Sequence, residues 1–257
     1  MNSISVRALL VRGMLAGLLA GVAALLVAYF LGESRVDASI ALEEAHSHDH
    51  HGGEELVGRT MQATGGLATG VLVFGVAVGG IAALVFCYAL GRIGSFGARA
   101  TAALVAGAAL LTVYLVPFLK YPANPPAVGD PDTIGQRTGL FFLMVALSVL
   151  LAVAAVIGGR RLAPRLGNWN ATIAASAGYV LLIGLAYVFL PSYDEVGADF
   201  PATLLWEFRL STLAVQATLW VSYGLIFGAL TERLLFPSRG RGAESHEGAP
   251  HPAGAVS

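Results

Sequence analysis

The charged residues of this chain are separated by long uncharged stretches, and this pattern predicts its helices. Six such stretches occur, at residues 13–32, 60–91, 100–119, 138–159, 166–193 and 210–231. Each reaches the roughly 20 residues that a helix needs to cross a hydrocarbon core about 30 Å thick. We therefore predict an all-α, polytopic transmembrane bundle with spans at about 9–31, 66–90, 100–119, 138–159, 169–191 and 210–231. A five-span alternative makes one of these stretches re-entrant or peripheral.

The predicted spans form a single transmembrane domain over residues 1–236, with an outer loop at 33–59 and a disordered cytoplasmic tail at 237–257. Composition agrees: hydrophobic residues make up 56% of the chain and charged residues 12%, about half the charged share of a soluble domain. A soluble enzyme and a nucleic-acid binder are excluded. The single cysteine, Cys87, excludes a disulfide framework.

The distribution of basic residues predicts the orientation. The N-terminus, the 92–99 and 160–165 loops and the C-terminal tail hold 10 of the 15 Lys and Arg residues, which places both termini in the cytoplasm. The outer segments then hold 13 of the 16 acids. One interpretation is that short inner loops have little room for acids. The other is a negative outer mouth that concentrates cations.

Small residues and prolines predict local features of the spans. Glycines at 13, 17 and 21, and at 75 and 79, follow the four-residue spacing that lets membrane helices approach closely. Pro117 is expected to kink span three, and Pro191 to end span five. No acid, base or histidine lies in the six stretches, which disfavours a proton-coupled pump or a membrane hydrolase. No Walker A pattern occurs, so no ATP site is expected.

The strongest chemical signal is a tract of acids and histidines in the outer loop. Imidazole nitrogens bind ions such as Co²⁺, Ni²⁺ and Zn²⁺, and carboxylates add charge and further ligands. The segment at 39–45 has helical propensity, so residues four apart in the tract are expected to share a helix face. The predicted metal ligands are Asp37, Glu43, Glu44, His46, His48, His50 and His51. Two roles of the histidines stay open: essential ligands during transport, or part of a disordered segment that collects and buffers metal ions.

Two further outer segments are candidates for a pathway mouth. The loop after span three carries four prolines in ten residues, which leave backbone carbonyls free for a cation. In it, Asn124 and Asp130 are the candidate mouth residues, while Asp132 is expected to cap the next helix. At the start of span six, Glu207 and Arg209 complete the mouth. Arg209 is expected to pair with an acid of this face or with a lipid phosphate, and a gating role is the alternative.

Taken together, these segments resemble CbtA, a family of predicted cobalt transporter subunits. The residues that carry the resemblance are Arg12-Gly13-x3-Gly17, Gly32-Glu33, Ala-Leu-Glu-Glu-Ala at 41–45, Leu-Lys-Tyr-Pro-Ala-Asn-Pro-Pro at 119–126, Arg137-Thr138, Phe200-Pro201 and Leu205-Trp206-x-Phe208-Arg209. The proline loop is the most specific of them. The family is usually assigned five membrane helices, whereas the pattern here gives six.

The resemblance implies an integral protein of the bacterial cytoplasmic (inner) membrane that imports cobalt for cobalamin synthesis. It also implies a small membrane partner, the second component of the cobalt transporter, with one membrane helix and a histidine-bearing terminus. We predict a non-enzymatic permease or permease subunit whose cargo is Co²⁺ and which needs no cofactor. The alternatives are a non-transporting metal sensor or assembly scaffold, or the same architecture carrying nickel or zinc.

Overall fold

The structure is a computed structural model that describes residues 6–46, 65–125, 128, 133–193, 196–197 and 200–235. Within those ranges every regular element is helical, which confirms the all-α prediction. The α-helices are α1 Val6–Val27, α2 Glu33–His46, α3 Leu67–Ala89, α4 Ala98–Ala109, α5 Val116–Lys120, α6 Ile134–Phe189 and α7 Ala202–Leu235. Two π-helical segments, Ala28–Gly32 and Leu110–Leu115, join α1 to α2 and α4 to α5.

In the described chain, five continuous helical runs are long and apolar enough to cross a membrane. One of them, α6, has 56 residues and would extend about 84 Å, almost three times the thickness of the hydrocarbon core. Gly167, at φ 77° and ψ 159°, interrupts α6 shortly after Pro164. The two arms of α6, 134–166 and 168–189, are therefore separate membrane-length helices, and the described chain holds six such helices.

Contacts between its arms show that α6 is an antiparallel hairpin. The hydroxyls of Ser148 and Tyr179 lie 2.8 Å apart, and a Cβ placed on Gly159 would be 3.2 Å from the Cβ of Ala175. Only glycine readily adopts the backbone angles of Gly167, so the chain reverses there. Treating α6 as one helix is what reduces six spans to five.

The predicted glycine strips pack against each other. A Cβ on Gly75 would lie 2.6 Å from the carbonyl oxygen of Gly17, and one on Gly13 would lie 2.7 Å from that of Gly79. Real Cβ atoms do not approach backbone oxygens so closely, so α1 and α3 are in backbone contact. Such contact gives van der Waals attraction between helices in lipid, where the hydrophobic effect contributes little.

Helices α1, α3, α4 and α7 share an apolar core whose inner half is filled by aromatic rings. The ring of Phe227 lies 5.1 Å from that of Phe86, edge to face, and 5.3 Å from that of Tyr223, stacked. The Tyr223 hydroxyl donates a 3.0 Å hydrogen bond to the carbonyl of Gly79. Because this polar group is satisfied inside the bundle, α7 is tied to the glycine strip of α3.

The α6 hairpin packs on the other side of span three through a second cluster, formed by Val116, Tyr121, Met144 and Ile183. Pro117 lies two residues after the end of the π-helical segment Leu110–Leu115. Proline cannot donate to the preceding turn, and its ring crowds that turn. We attribute the π-helical register to this proline. At the other end of α6 the helix stops at Phe189, two residues before Pro191.

The two ends of the bundle differ in the segments they carry. One end, named the outer end after the predicted orientation, carries α2 and the described residues at 121–125, 190–193 and 200–201. The inner end carries the 90–97 segment and the reversal of α6. At the inner end Arg99 forms an ion pair with Glu232, which joins α4 to α7.

Candidate functional site

Part of the acid and histidine tract lies on α2, which runs through His46 and so bears out the helical expectation. Asp37 is exposed on this helix, and positions 37 and 44 share a face because they are seven residues apart. Glu43, Glu44 and His46 have helical backbone. His48, His50, His51 and Asp130 lie outside the described residues. Within the described part, no three acid, histidine or cysteine side chains form a metal-binding group.

Helix α2 is held against the outer end of α7. The Nε atom of Arg35 lies 3.4 Å from Oε2 of Glu207, and the Ser211 hydroxyl donates a 3.0 Å hydrogen bond to the carbonyl of Leu31. Ser39 is buried and donates to the carbonyl of Arg35 at 2.8 Å. The helix that carries the first part of the predicted metal tract therefore lies beside a predicted mouth residue, Glu207.

Two other predicted mouth residues, Arg209 and Asn124, are in contact. Arg209 donates from Nε to the carbonyl of Ala123 and from a terminal nitrogen to Oδ1 of Asn124, both at 3.2 Å. Both acceptors are neutral oxygens of the proline loop, and the expected pairing of Arg209 with an acid or a lipid phosphate stays a prediction. The contacts fix the start of α7 against the loop that follows span three.

The carbonyls of the proline loop do not match the prediction that they are free for a cation. Arg137 donates to the carbonyl of Pro122, and Arg209 donates to that of Ala123. A guanidinium group repels a second cation at the same oxygen. These two carbonyls therefore brace the loop, and the prediction was wrong for them.

Lys120 and Tyr121, which were not predicted as site residues, fasten the same loop to the end of α6. The Nζ atom of Lys120 donates to the carbonyl of Tyr187 at 2.8 Å and to the Ser192 hydroxyl at 2.6 Å. The Tyr121 hydroxyl donates to the carbonyl of Pro191 at 2.8 Å. Burial, and then the nearby Tyr193, raise the pKa of Tyr121, so its phenol stays protonated as a donor at neutral pH.

A cleft of about 250 Å³ lies between span three and the first arm of α6. Its walls are mostly apolar, four of the nine lining residues are aromatic, and Arg137 is the charged residue among them. The lining residues are Tyr114, Phe118, Tyr121, Pro122, Ala123, Ile134, Arg137, Thr138 and Phe141. Sequence reasoning missed this cleft, although aromatic residues and prolines gathered at the facing ends of two spans are a signal of it.

Comparison with known proteins yields one relationship. No curated protein and no solved structure matches the chain. A family model described as "Probable cobalt transporter subunit (CbtA)" matches residues 6–232. That range runs from the start of α1 to three residues before the end of α7, and on this match the chain belongs to the CbtA family.

Proposed function

We propose that this chain is the permease, or a permease subunit, that admits Co²⁺ across a bacterial cytoplasmic membrane, with both termini in the cytoplasm. Membership of a family of cobalt transporter subunits and the apolar, membrane-length helices support the proposal. The observation that carries it is the Arg35–Glu207 contact. This contact brings α2, which begins the predicted metal tract, to the end of the bundle where Arg209 meets Asn124.

In this proposal the 33–59 segment gathers the ion and delivers it to the mouth. Asp37, Glu43, Glu44 and His46 stand on α2, and the tract continues along the chain through His48, His50 and His51. Asp130, six residues after Asn124 in the sequence, contributes a further carboxylate to the mouth in this proposal. Carboxylates and imidazoles at the entrance raise the local concentration of a divalent cation before it meets the low-dielectric interior.

Transport would run down the membrane potential, because the chain contains no Walker A motif and its predicted spans contain no charged relay. Moving a double positive charge across 100 mV releases about 4.6 kcal/mol.

The family description names one component of a transporter and so implies a partner. We propose that the partner is a small membrane protein with one helix and a histidine-bearing terminus, which passes the metal to this chain. Cobalt is cargo here, and no resident cofactor is required.

The test is uptake of radioactive Co²⁺ by a cobalt-starved host that carries the gene for this chain, with and without the partner gene. We expect saturable uptake that requires this gene. Replacing His46, His48, His50 and His51 by alanine should raise the half-saturating concentration and leave the maximal rate nearly unchanged. The carboxylates and the path through the bundle remain in this variant.

Equal uptake with and without the gene would reject the proposal. A metal-dependent transcriptional response that disappears with the histidines, without any cobalt flux, would instead identify a sensor. Stronger inhibition by excess Ni²⁺ or Zn²⁺ than by unlabelled Co²⁺ would assign another cargo, since imidazole and carboxylate sites discriminate weakly among these ions.

A further inference from the structure

The inner face of α7 carries polar side chains below the outer mouth. Arg209, Gln216 and Tyr223 are spaced by seven residues and therefore lie almost in line along the helix. Thr212 lies between the first two, one turn above Gln216. Gln216 is half-buried, and it stands on the same face as the buried Leu219, Trp220 and Tyr223. This face of α7 points into the bundle.

Two polar groups at this depth, those of Gln216 and Tyr114, lack a well-formed hydrogen bond within the described residues. Within the described residues, no hydrogen bond reaches the Gln216 amide. The Tyr114 hydroxyl is buried without a well-formed hydrogen bond there, and its polar neighbour is Thr212. The Thr212 hydroxyl itself donates to the carbonyl of Arg209 at 2.8 Å. Polar groups left unpaired in a low-dielectric region cost free energy and indicate a polar occupant.

Tyr114 connects this face of α7 to the outer cleft. Its ring lines the cleft and stacks on Phe118, with centroids 5.4 Å apart, while its hydroxyl faces Thr212. It belongs to the π-helical segment Leu110–Leu115. The cleft and the α7 face therefore meet at one side chain.

Packing changes below Gln216. Residues 212–218 are all half-buried, whereas Leu219, Trp220 and Tyr223 are each at most 4% exposed. The rings of Tyr223, Phe227 and Phe86 then fill the centre of the bundle. Gln216 lies about 10 Å from Arg209 along the helix, toward the inner end. It is therefore next to these aromatic rings on their outer side. Apolar constrictions of this kind stop hydrated ions until they open.

We infer that Tyr114, Thr212 and Gln216 form an intramembrane site for a hydrated divalent cation, closed toward the cytoplasm by the rings of Trp220, Tyr223 and Phe227. The inference rests on the proposed function and locates the path of the transported ion through the bundle. Hydroxyl and amide oxygens are neutral, so they hold an ion through its water shell weakly enough for release. In this scheme imidazole and carboxylate groups gather the metal at the entrance, and the oxygen site passes it on.

The test uses the full-length protein in which His46, His48, His50 and His51 are alanine, so that the outer tract does not mask a deeper site. Gln216→Leu should lower the maximal rate of radioactive Co²⁺ uptake about tenfold or more, and Thr212→Val should lower it several-fold. Thr218→Val is the matched control. Its hydroxyl donates to the carbonyl of Ala214 on the opposite face of α7, so uptake should not change.

A binding measurement on the purified proteins in detergent separates this inference from the proposed function. Gln216→Glu should bind Co²⁺ about tenfold more tightly than the same protein with Gln216, because a charged oxygen replaces a neutral one. Unchanged binding, or Gln216→Leu uptake equal to that of Thr218→Val, would overturn the inference while leaving cobalt transport intact. Loss of partner co-purification in Gln216→Leu would overturn it too, by assigning Gln216 to a helix contact. If the parent protein carries no cobalt, the proposed function fails and the binding measurement still decides whether the site exists.

Discussion

At the scale of single residues, the hydrogen bonds of Arg209 and the Arg35–Glu207 ion pair are expected to contribute different amounts to the stability of the outer end. The Arg35 and Glu207 side chains are 32% and 54% exposed, and such pairs contribute about 0–1 kcal/mol because water screens them. Arg209 is part-buried and donates to two fixed oxygens. Hydrogen bonds from a charged donor contribute about 1.5–3 kcal/mol. Arg209 should therefore contribute more to the architecture of the mouth than the nearby ion pair does.

Replacement of these two arginines tests that ranking. We expect Arg209→Gln to lower the free energy of unfolding by about 1.5–3 kcal/mol, and Arg35→Gln to lower it by less than about 1 kcal/mol. Unfolding in mixed micelles, followed by circular dichroism, measures both. Arg7→Gln, at an exposed position of α1, is the control for loss of one charge. An equal or reversed ranking would contradict this account of the mouth.

At the scale of helices, close backbone contact decides which pairs form. Helices α1 and α3 meet through glycines whose carbonyl oxygens occupy the space of a missing methyl group. Helices α4 and α7 meet in a similar way, because Gly228 lies against the backbone of Arg99. The α6 hairpin lacks such contacts with the core and rests on span three through the cluster around Met144. Which helices pack into the core of the bundle thus depends more on the positions of small residues than on the hydrophobicity of the helices.

Two alanine substitutions in α3 separate packing from helix propensity. Gly75→Ala should destabilise the protein by about 1–3 kcal/mol or more, because backbone atoms of α1 cannot move aside for the methyl group. Gly70→Ala adds the same methyl group where nothing lies within 4 Å, and should be neutral or stabilising by up to about 1 kcal/mol. The same unfolding measurement applies. A neutral Gly75→Ala would show that α1 and α3 are not in backbone contact.

At the scale of the whole molecule, charge and topology give the bundle two chemically different ends. Six membrane-length helices put the start of α1 and the end of α7 at the same end of the bundle, and the excess of Lys and Arg predicts that this end is cytoplasmic. Helix α2 lies at the opposite end, which is the end where the import proposal requires metal to be gathered. This sidedness is a requirement of the import proposal, since a tract facing the cytoplasm cannot gather external cobalt.

Accessibility of engineered cysteines checks the sidedness. In a Cys87→Ser background, Ala38→Cys on α2 should react with a membrane-impermeant thiol reagent in intact cells. Ser95→Cys, at an exposed position of the inner end, should react only after the membrane is opened. The two positions serve as controls for each other, because each must be labelled in one of the two conditions. The opposite labelling pattern would reject import through this tract.

The sequence by itself determined the features that depend on local composition and spacing. The lengths of the uncharged stretches predicted membrane helices, because the hydrocarbon thickness sets a minimum length for any apolar helix. The four-residue spacing of glycines predicted the α1 and α3 contact surfaces, since that spacing is a property of one helix. The metal-binding character of the 37–51 tract is likewise predicted from residue type alone, and it stays a prediction for the whole tract.

Only the tertiary structure decided which distant groups meet. The Ser211 hydroxyl and the Leu31 carbonyl are 180 residues apart in sequence, and Arg209 and Asn124 are 85 apart. The number and positions of charged residues in the sequence do not show that Arg137 and Arg209 donate hydrogen bonds to carbonyls of the proline loop. Nor do they show that Tyr114 lies between the cleft and the inner face of α7. These pairings depend on the angles at which helices cross and on the reversal at Gly167, and both arise from packing along the whole chain.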